Sequence, residues 1–176
     1  LGSRLSEYTK EIPKPMVKIN GIPIIKRIML HYSKFGFKEF LIASGYKSKI
    51  IENYFSRPIK NWKVRIINTG NKTMTGGRIK RLKKFLYKDT FLLTYGDGLS
   101  NVDIKKLYNF HIKQKKMITL TAVRPPARFG AIRITNNDNV KYFKEKSNID
   151  EGWINGGFFV IEPEIFKYIK GDNTYL

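Results

Sequence analysis

The chain alternates between two hydrophobic rhythms for most of its length and then keeps only one of them. "IPIIKRIMLHYSKFG" carries apolar residues at helical spacing, with Pro23 suited to a first turn and Gly36 to a stop. "KEFLIASG" follows as a short buried strand ending in Gly45, and "KSKIIENYF" as a helix with Ser48 at its cap. "WKVRIINTG" predicts a strand that runs into the polar loop "NKTMTGG". "RIKRLKKFL" is helical, with Ile79, Leu82, Phe85 and Leu86 on one face, and "TFLLTYGDG" is an apolar strand broken by a Gly-Asp-Gly turn. "NVDIKKLYNFHIKQKK" is a further amphipathic helix and "MITLTAV" a further strand.

Beyond that point the helical rhythm drops out. "GAIRIT", "VKYFKEK" and "GGFFVIE" read as strands without intervening helices, and "PEIFKYI" closes as a helix. Strand–helix alternation followed by a strand-rich segment predicts the α/β class, with a Rossmann-like mixed, mostly parallel sheet flanked by helices and a mixed or antiparallel later portion. No repeat or low-complexity linker divides the chain, so residues 1–176 are read as one domain.

Composition narrows the function classes. Cysteine is absent, which removes disulfides and thiolate zinc sites. The two histidines, His31 and His111, are too far apart in sequence to suggest a histidine metal cluster. No apolar run approaches the roughly 20 residues of a membrane span, and no signal peptide is recognisable, so the expected location is the cytoplasm. The charge is the outlying quantity: 34 Lys+Arg against 14 Asp+Glu, a net +20. The basic residues are interleaved with apolar ones along the whole chain rather than gathered in one arm. That distribution suits phosphorylated small molecules ahead of nucleic acid.

In open α/β sheets ligands lie beyond the carboxyl ends of the strands, so the loops there are the places to read. Asp97 follows an apolar strand between two glycines, where a carboxylate suits a magnesium ion carrying phosphates, although an Asp-Gly turn needs no ligand. "MTGGR" offers Thr73, Thr75 and Arg78 around a glycine pair, either as an anion cradle at a helix start or as a loop and cap. At the start of the chain Gly2, Ser3 and Arg4 precede Lys14, whose backbone is stiffened by Pro13 and Pro15. Glu145, Lys146, Asn155, Gly156 and Gly157 could bind sugar hydroxyls and phosphate, or form a hairpin with "NGG" as its turn and a surface ion pair. His31, His111, Trp62 and Trp153 read as helix-face, core or rim residues without chemistry.

Taken together, "GSRL", "KPM", "TGGRIKR", "TYGDG", "RFGAIRI", "EKS" and "INGGFFV" occur in the order found in the sugar-phosphate nucleotidyltransferases. The chain resembles that family over nearly its whole length, and most of all its cytidylyl-transferring branch. The resemblance implies the Rossmann-like fold of nucleotide-diphospho-sugar transferases. It also implies transfer of a cytidylyl group from CTP to glucose 1-phosphate, giving CDP-glucose and pyrophosphate. The alternatives are the same chemistry with dTTP, UTP or GTP, or a basic nucleic-acid-binding domain that keeps the fold without catalysis.

By resemblance, Leu1, Gly2, Ser3 and Arg4 match the second half of a loop that folds over the nucleotide, and Lys14 matches a phosphate-contacting lysine. Thr73, Arg78 and Gly96 match nucleotide-binding positions, and Asp97 the first ligand of Mg2+. Glu145, Lys146, Asn155 and Gly156 lie where the family binds the sugar and its phosphate. Arg4, Lys14 and Asp97 are thus the expected catalytic residues, and a homo-oligomer with neither nucleic-acid nor membrane partners is implied. The departures are a missing first strand and its glycines, a shorter stretch between Tyr54 and Trp62, "EKS" in place of "EKP", and no segment carrying a second magnesium aspartate. The chain is therefore read as a truncated catalytic domain, lacking its first strand and its C-terminal part.

Overall fold

An Asn-Gly pair makes the first turn of the fold. Asn20 and Gly21 both have positive φ, 47° and 76°, and close a hairpin between β1 (Lys18–Ile19) and β2 (Ile22–Pro23). The computed structural model describes residues 11–125, 131–144 and 152–176. Helix α1 (Ile24–Lys34) begins directly after Pro23 and buries Ile25, Ile28, Met29 and Tyr32, the stripe expected of a 3.6-residue period. It ends as predicted at Gly36, whose φ of 92° lets Phe37 N–H reach Tyr32 O at 3.3 Å while Gly36 N–H bonds Ser33 O at 3.1 Å.

Strand β3 (Glu39–Ser44), helix α2 (Ser48–Tyr54) and strand β4 (Lys63–Asn68) form a βαβ unit, with the strands parallel from Glu39↔Lys63 to Ser44↔Asn68. Ser48 is the first residue of α2 rather than its cap. Lys47, in the left-handed region at φ 52°, holds the cap position, and the Ser48 hydroxyl donates to the Glu52 carboxylate one turn on. The expected single helix after the Gly-Gly pair starts earlier and breaks in two. Helix α3 (Thr75–Arg81) gives way at Leu82 to the single turn α4 (Lys83–Leu86), tightened by Leu82 N–H to Ile79 O and Phe85 N–H to Leu82 O, both 2.9 Å.

The remaining described strands are antiparallel. β9 (Ile154–Ile161) lies between β5 (Phe91–Thr94) and β6 (Ile118–Val123), and β7 (Ala131–Ile134) pairs with β8 (Val140–Lys144). Among the described ladders the parallel character is thus confined to β3–β4, and the strand-rich second half is antiparallel, as its change of rhythm indicates. "NGG" lies inside β9 and is not a hairpin turn, because Asn155 pairs with Ala122, and the register shift that follows leaves its extra residues, 156–158, in β9 opposite residue 121 of β6. "PEIFKYI" closes as a 3₁₀ turn over Pro163–Lys167.

Helix α5 (Ile104–Gln114) is capped by the Asp103 carboxylate, which accepts from Lys106 N–H at 2.9 Å. Alternate residues of the central strands serve opposite faces of the sheet. Phe158 and Leu92 pack with Ile28 and Tyr32 of α1, whereas Phe159, Ile161 and Leu93 pack with Ile79 of α3. Both histidines are structural. His31 Nε2 lies 2.7 Å from Val102 O, and buried His111 bridges Thr119 Oγ1 and Glu162 Oε1, each at 2.8 Å. Trp62 packs on Phe40 with ring centres 5.0 Å apart, and exposed Trp153 lies under the Arg124 guanidinium. No helix among the described residues is long and apolar enough to cross a membrane.

Candidate active site

Pro13 holds an extended backbone, φ −68° and ψ 146°, ahead of a 3₁₀ turn over Lys14–Met16 that closes with Met16 N–H on Pro13 O at 2.8 Å. Buried Met16 anchors this turn beside Ile25 and Met29, which leaves Lys14 exposed. Pro15 packs against Gly96, where an added Cβ would lie 3.0 Å from Pro15 Cγ. Gly96 is therefore needed for close approach, and that approach joins "KPM" to "TYGDG". Asp97, the next residue, is exposed. Neither the Lys14 ammonium nor the Asp97 carboxylate has a hydrogen bond or ion pair among the described residues.

The start of β9 is stitched to the end of β5. Thr94 Oγ1 donates to Gly157 O at 2.9 Å, Asn155 Nδ2 to Tyr95 Oη at 3.2 Å, and Gly157 N–H to Asn155 Oδ1 at 2.8 Å. Gly157 has φ 78°, and a Cβ there would meet the Tyr95 ring at 3.1 Å. These bonds bring Asn155 and Gly156 beside Tyr95, Gly96 and Asp97. The segments carrying Lys14, Gly96, Asp97, Asn155 and Gly156, scattered in sequence, thus converge at one end of the β5–β9 pair through the Pro15–Gly96 and Asn155–Tyr95 contacts.

Thr73 and Arg78 sit at the ends of β3 and β4 instead. The Thr73 hydroxyl is buried and donates to Thr69 O at 2.7 Å; the Thr69 hydroxyl donates to Ser44 O at 2.8 Å. Half-buried Arg78 donates from Nη1 to Thr69 Oγ1 at 2.7 Å and to Ser44 O at 3.1 Å, and so ties the two strand ends together. Gly45 leaves room for that guanidinium, since a Cβ would be 2.7 Å from Arg78 Nη1. Arg78 and Gly96 line one cavity of about 570 Å³, so the two strand-end clusters share a wall.

The glycine pair of "MTGGR" is not an open anion cradle. Met74 N–H bonds Asp172 O at 2.8 Å and Gly77 N–H bonds Thr174 O at 3.2 Å, so the C-terminal segment occupies the start of α3. A Cβ on Gly77 would lie 2.4 Å from Asp172 O, which explains why no larger residue stands there. Arg81 makes a two-pronged bond to the Asp172 carboxylate; this holds Asp172 below its usual carboxylate range and raises Arg81. The packing of Pro15 on Gly96, the Tyr95–Asn155 stitch and the Asp172 clamp carry no signal in spacing, because each joins residues distant in the chain.

Leu1, Gly2, Ser3, Arg4, Glu145 and Lys146 lie outside the described residues. For magnesium, Asp97 is a hard oxygen donor, exposed and without an ion-pair partner among the described residues, and it fits one position of such an ion. No group of three or more His, Asp or Glu side chains able to hold a metal occurs among the described residues.

The profile of the nucleotidyl transferase family matches residues 1–175, and the chain belongs to that family. It is 42% identical over 197 aligned positions to the glucose-1-phosphate cytidylyltransferase of Salmonella typhimurium, covering 99% of this chain and 76% of that protein. It is 36% identical to the probable glucose-1-phosphate cytidylyltransferase of Bacillus subtilis, covering 98% and 76%. Among solved structures it is similar to HddC from Yersinia pseudotuberculosis, with a TM-score of 0.72 and 27% identity over 94% of this chain and 74% of that one. HddC has also been solved in complex with GMP-PN. The fold is that of the nucleotide-diphospho-sugar transferases, and the chain is a nucleotidyltransferase.

Proposed function

We propose that this chain transfers the cytidylyl group of CTP to glucose 1-phosphate, giving CDP-glucose and pyrophosphate. The observation that carries the reading is the convergence of the segments bearing Lys14, Gly96, Asp97 and Asn155 at one end of β5–β9, with no partner for the Lys14 or Asp97 charge among the described residues. The cytidylyltransferases of Salmonella and Bacillus support CTP and glucose 1-phosphate as the substrate pair.

In this reading a phosphate oxygen of glucose 1-phosphate forms a bond to the α-phosphorus of CTP as the bond to the β-phosphate oxygen breaks. Pyrophosphate carries away the electron pair. The step needs no covalent enzyme intermediate, so positioning and charge neutralisation supply the rate. Lys14, aimed by its two prolines, neutralises charge on the leaving pyrophosphate together with Arg4. Leu1, Gly2 and Ser3 wrap the nucleotide, with Thr73, Arg78 and Gly96 along its other side. Asp97 would hold a magnesium ion whose remaining ligands come from substrate phosphates and water, and that ion would supply Lewis-acid polarisation of the phosphate. Glu145, Lys146, Asn155 and Gly156 bind the sugar and its phosphate.

The test is pyrophosphate release with glucose 1-phosphate, magnesium and each of the four NTPs, with Asp97→Asn as the blank. Release with CTP that falls by about 10²–10³-fold in Asp97→Asn is expected. Release with another NTP in preference to CTP would overturn the nucleotide assignment, and equal rates in the variant would overturn the role of Asp97.

A further inference from the structure

Helix α3 is fixed from outside its own sequence. The cap position before it holds Met74, which makes no side-chain cap bond, and Gly76 and Gly77 stand within its seven residues. Glycine weakens a helix interior, and a helix this short is marginal by itself. Two backbone carbonyls from beyond the 163–167 turn close free N–H groups at its start. Asp172 O accepts from Met74 N–H at 2.8 Å, and Thr174 O from Gly77 N–H at 3.2 Å. The glycines admit them: a Cβ on Gly76 would lie 2.9 Å from Thr174 O, and one on Gly77 2.4 Å from Asp172 O. The incoming segment is firmly seated, because Ile165, Phe166 and Ile169 share a buried cluster with Ile79 of α3. Its turn is closed in both directions, Thr174 N–H to Gly171 O and Gly171 N–H to Thr174 Oγ1, each at 3.2 Å.

Asp172 reaches both nucleotide candidates of this region. Met74, which donates to Asp172 O, accepts Arg78 N–H with its own carbonyl at 2.9 Å, so one residue stands between Asp172 and the Arg78 backbone. One turn on, Arg81 donates from Nε to the Asp172 carboxylate at 2.9 Å and from Nη2 to its second oxygen. The same guanidinium lies against the loop after β4. At Gly70, φ 84°, a Cβ would be 3.1 Å from Arg81 Nη1 and 3.1 Å from Thr73 Oγ1. The ion pair is exposed and contributes little to stability. Its leverage is positional. Arg78 commits Nη1 to Thr69 and Ser44, so a small shift of its backbone redirects what is left of the guanidinium.

We infer that Asp172 is a positioning residue for the nucleoside triphosphate. Its carbonyl sets the backbone of Arg78 through Met74, and its carboxylate holds Arg81 against the loop that carries Thr73. The pair with Arg81 therefore acts on nucleotide affinity and not on the stability of the fold. Gly77 is the residue that lets the Asp172 carbonyl come close enough to do this. The inference rests on the proposed reading of Thr73 and Arg78 as nucleotide contacts, and it is tested by binding rather than turnover.

The experiment titrates wild type, Asp172→Asn, Asp172→Glu and Gly77→Ala with each of the four NTPs and magnesium in a calorimeter, without glucose 1-phosphate. Urea midpoints are recorded for the same proteins. Asp172→Asn should weaken binding of the preferred nucleotide by about threefold to fivefold with its urea midpoint unchanged. Asp172→Glu, which keeps a carboxylate for Arg81, should stay within about twofold of wild type. Gly77→Ala displaces the carbonyl as well and should weaken binding by about tenfold or more. If Gly77→Ala does not fold, the two Asp172 variants carry the test. Wild-type affinity in Asp172→Asn, or equal losses in the Asn and Glu variants, would overturn the inference. So would a loss of affinity matched by a fall in urea midpoint, which would make Asp172 merely structural. The same pattern on a nucleotide other than CTP would overturn the nucleotide assignment and keep the inference, whereas no binding of any NTP by folded wild type would overturn both.

Discussion

The two clusters at the strand ends are built from similar residues and do opposite things with them. At the ends of β3 and β4, Ser44, Thr69, Thr73 and Arg78 direct their donors to one another or to strand carbonyls. At the end of β5, Lys14 and Asp97 are held on a rigid turn and a tight glycine approach, with no partner for either charge among the described residues. The first cluster is a frame in which the Thr69 and Thr73 hydroxyls and Arg78 Nη1 are committed to neighbouring oxygens, with the rest of the guanidinium left over for the nucleotide in the proposed reading. The second keeps its charges available, the arrangement needed to act on phosphates. A basic or glycine-rich motif is therefore informative only once its hydrogen bonds have been traced.

Breaking the second cluster should cost activity and leave the fold intact. Lys14→Met removes an exposed cation that has no partner among the described residues, so pyrophosphate release should fall by about 10²-fold with thermal stability unchanged. A matching fall in melting temperature would show instead that Lys14 belongs to the frame.

Breaking the frame should do the reverse. Gly45→Ala puts a Cβ 2.6 Å from Gly70 O and 2.7 Å from Arg78 Nη1, where the backbone oxygen cannot swing aside. A loss of about 1–3 kcal/mol in urea unfolding is expected. Wild-type stability in Gly45→Ala would mean that the strand ends are not tied as described.

The smallest effect belongs to the exposed clamp outside both clusters. Arg81 lowers the Asp172 carboxyl, so the folded value lies below the unfolded one. The pair's contribution is complete above the ordinary carboxylate range and is lost as pH falls below it. Arg81→Ala should shift the melting temperature at neutral pH by no more than about a degree or two, and flatten the pH dependence only on the acid side. A large neutral-pH shift would make the C-terminal segment a principal support of α3.

Much of this was legible along the chain. α1 with its stop at Gly36, β3, β4, β5 and α5 follow from apolar spacing, caps and glycine, all set by neighbours within a turn or two. The β1–β2 hairpin carries a usable signal, Asn20-Gly21 between apolar residues, that the helical pattern beginning at Ile22 overshadows. Two of the three misread motifs have one cause. Gly76-Gly77 and Asn155-Gly156-Gly157 have the composition of an anion loop and a turn, but each was claimed by a partner far away in sequence, the 172–176 segment and the β5 end, whereas Ser48 turns its hydroxyl to Ser44 and Glu52, one turn away on either side.

Sequence alone determined the α/β class, the order of elements, the membership of the motifs in a nucleotidyltransferase pattern and the surplus of positive charge. Those depend on residue type and local period, which the chain carries within itself. Tertiary structure decided which polar groups are spent and which have no partner among the described residues, that Pro15 closes on Gly96, and that residues of β3 and β5 line one cavity. Those are matters of distance between remote residues, and a hydrogen bond or a close contact exists only where the folded backbone brings both partners within about 3 Å.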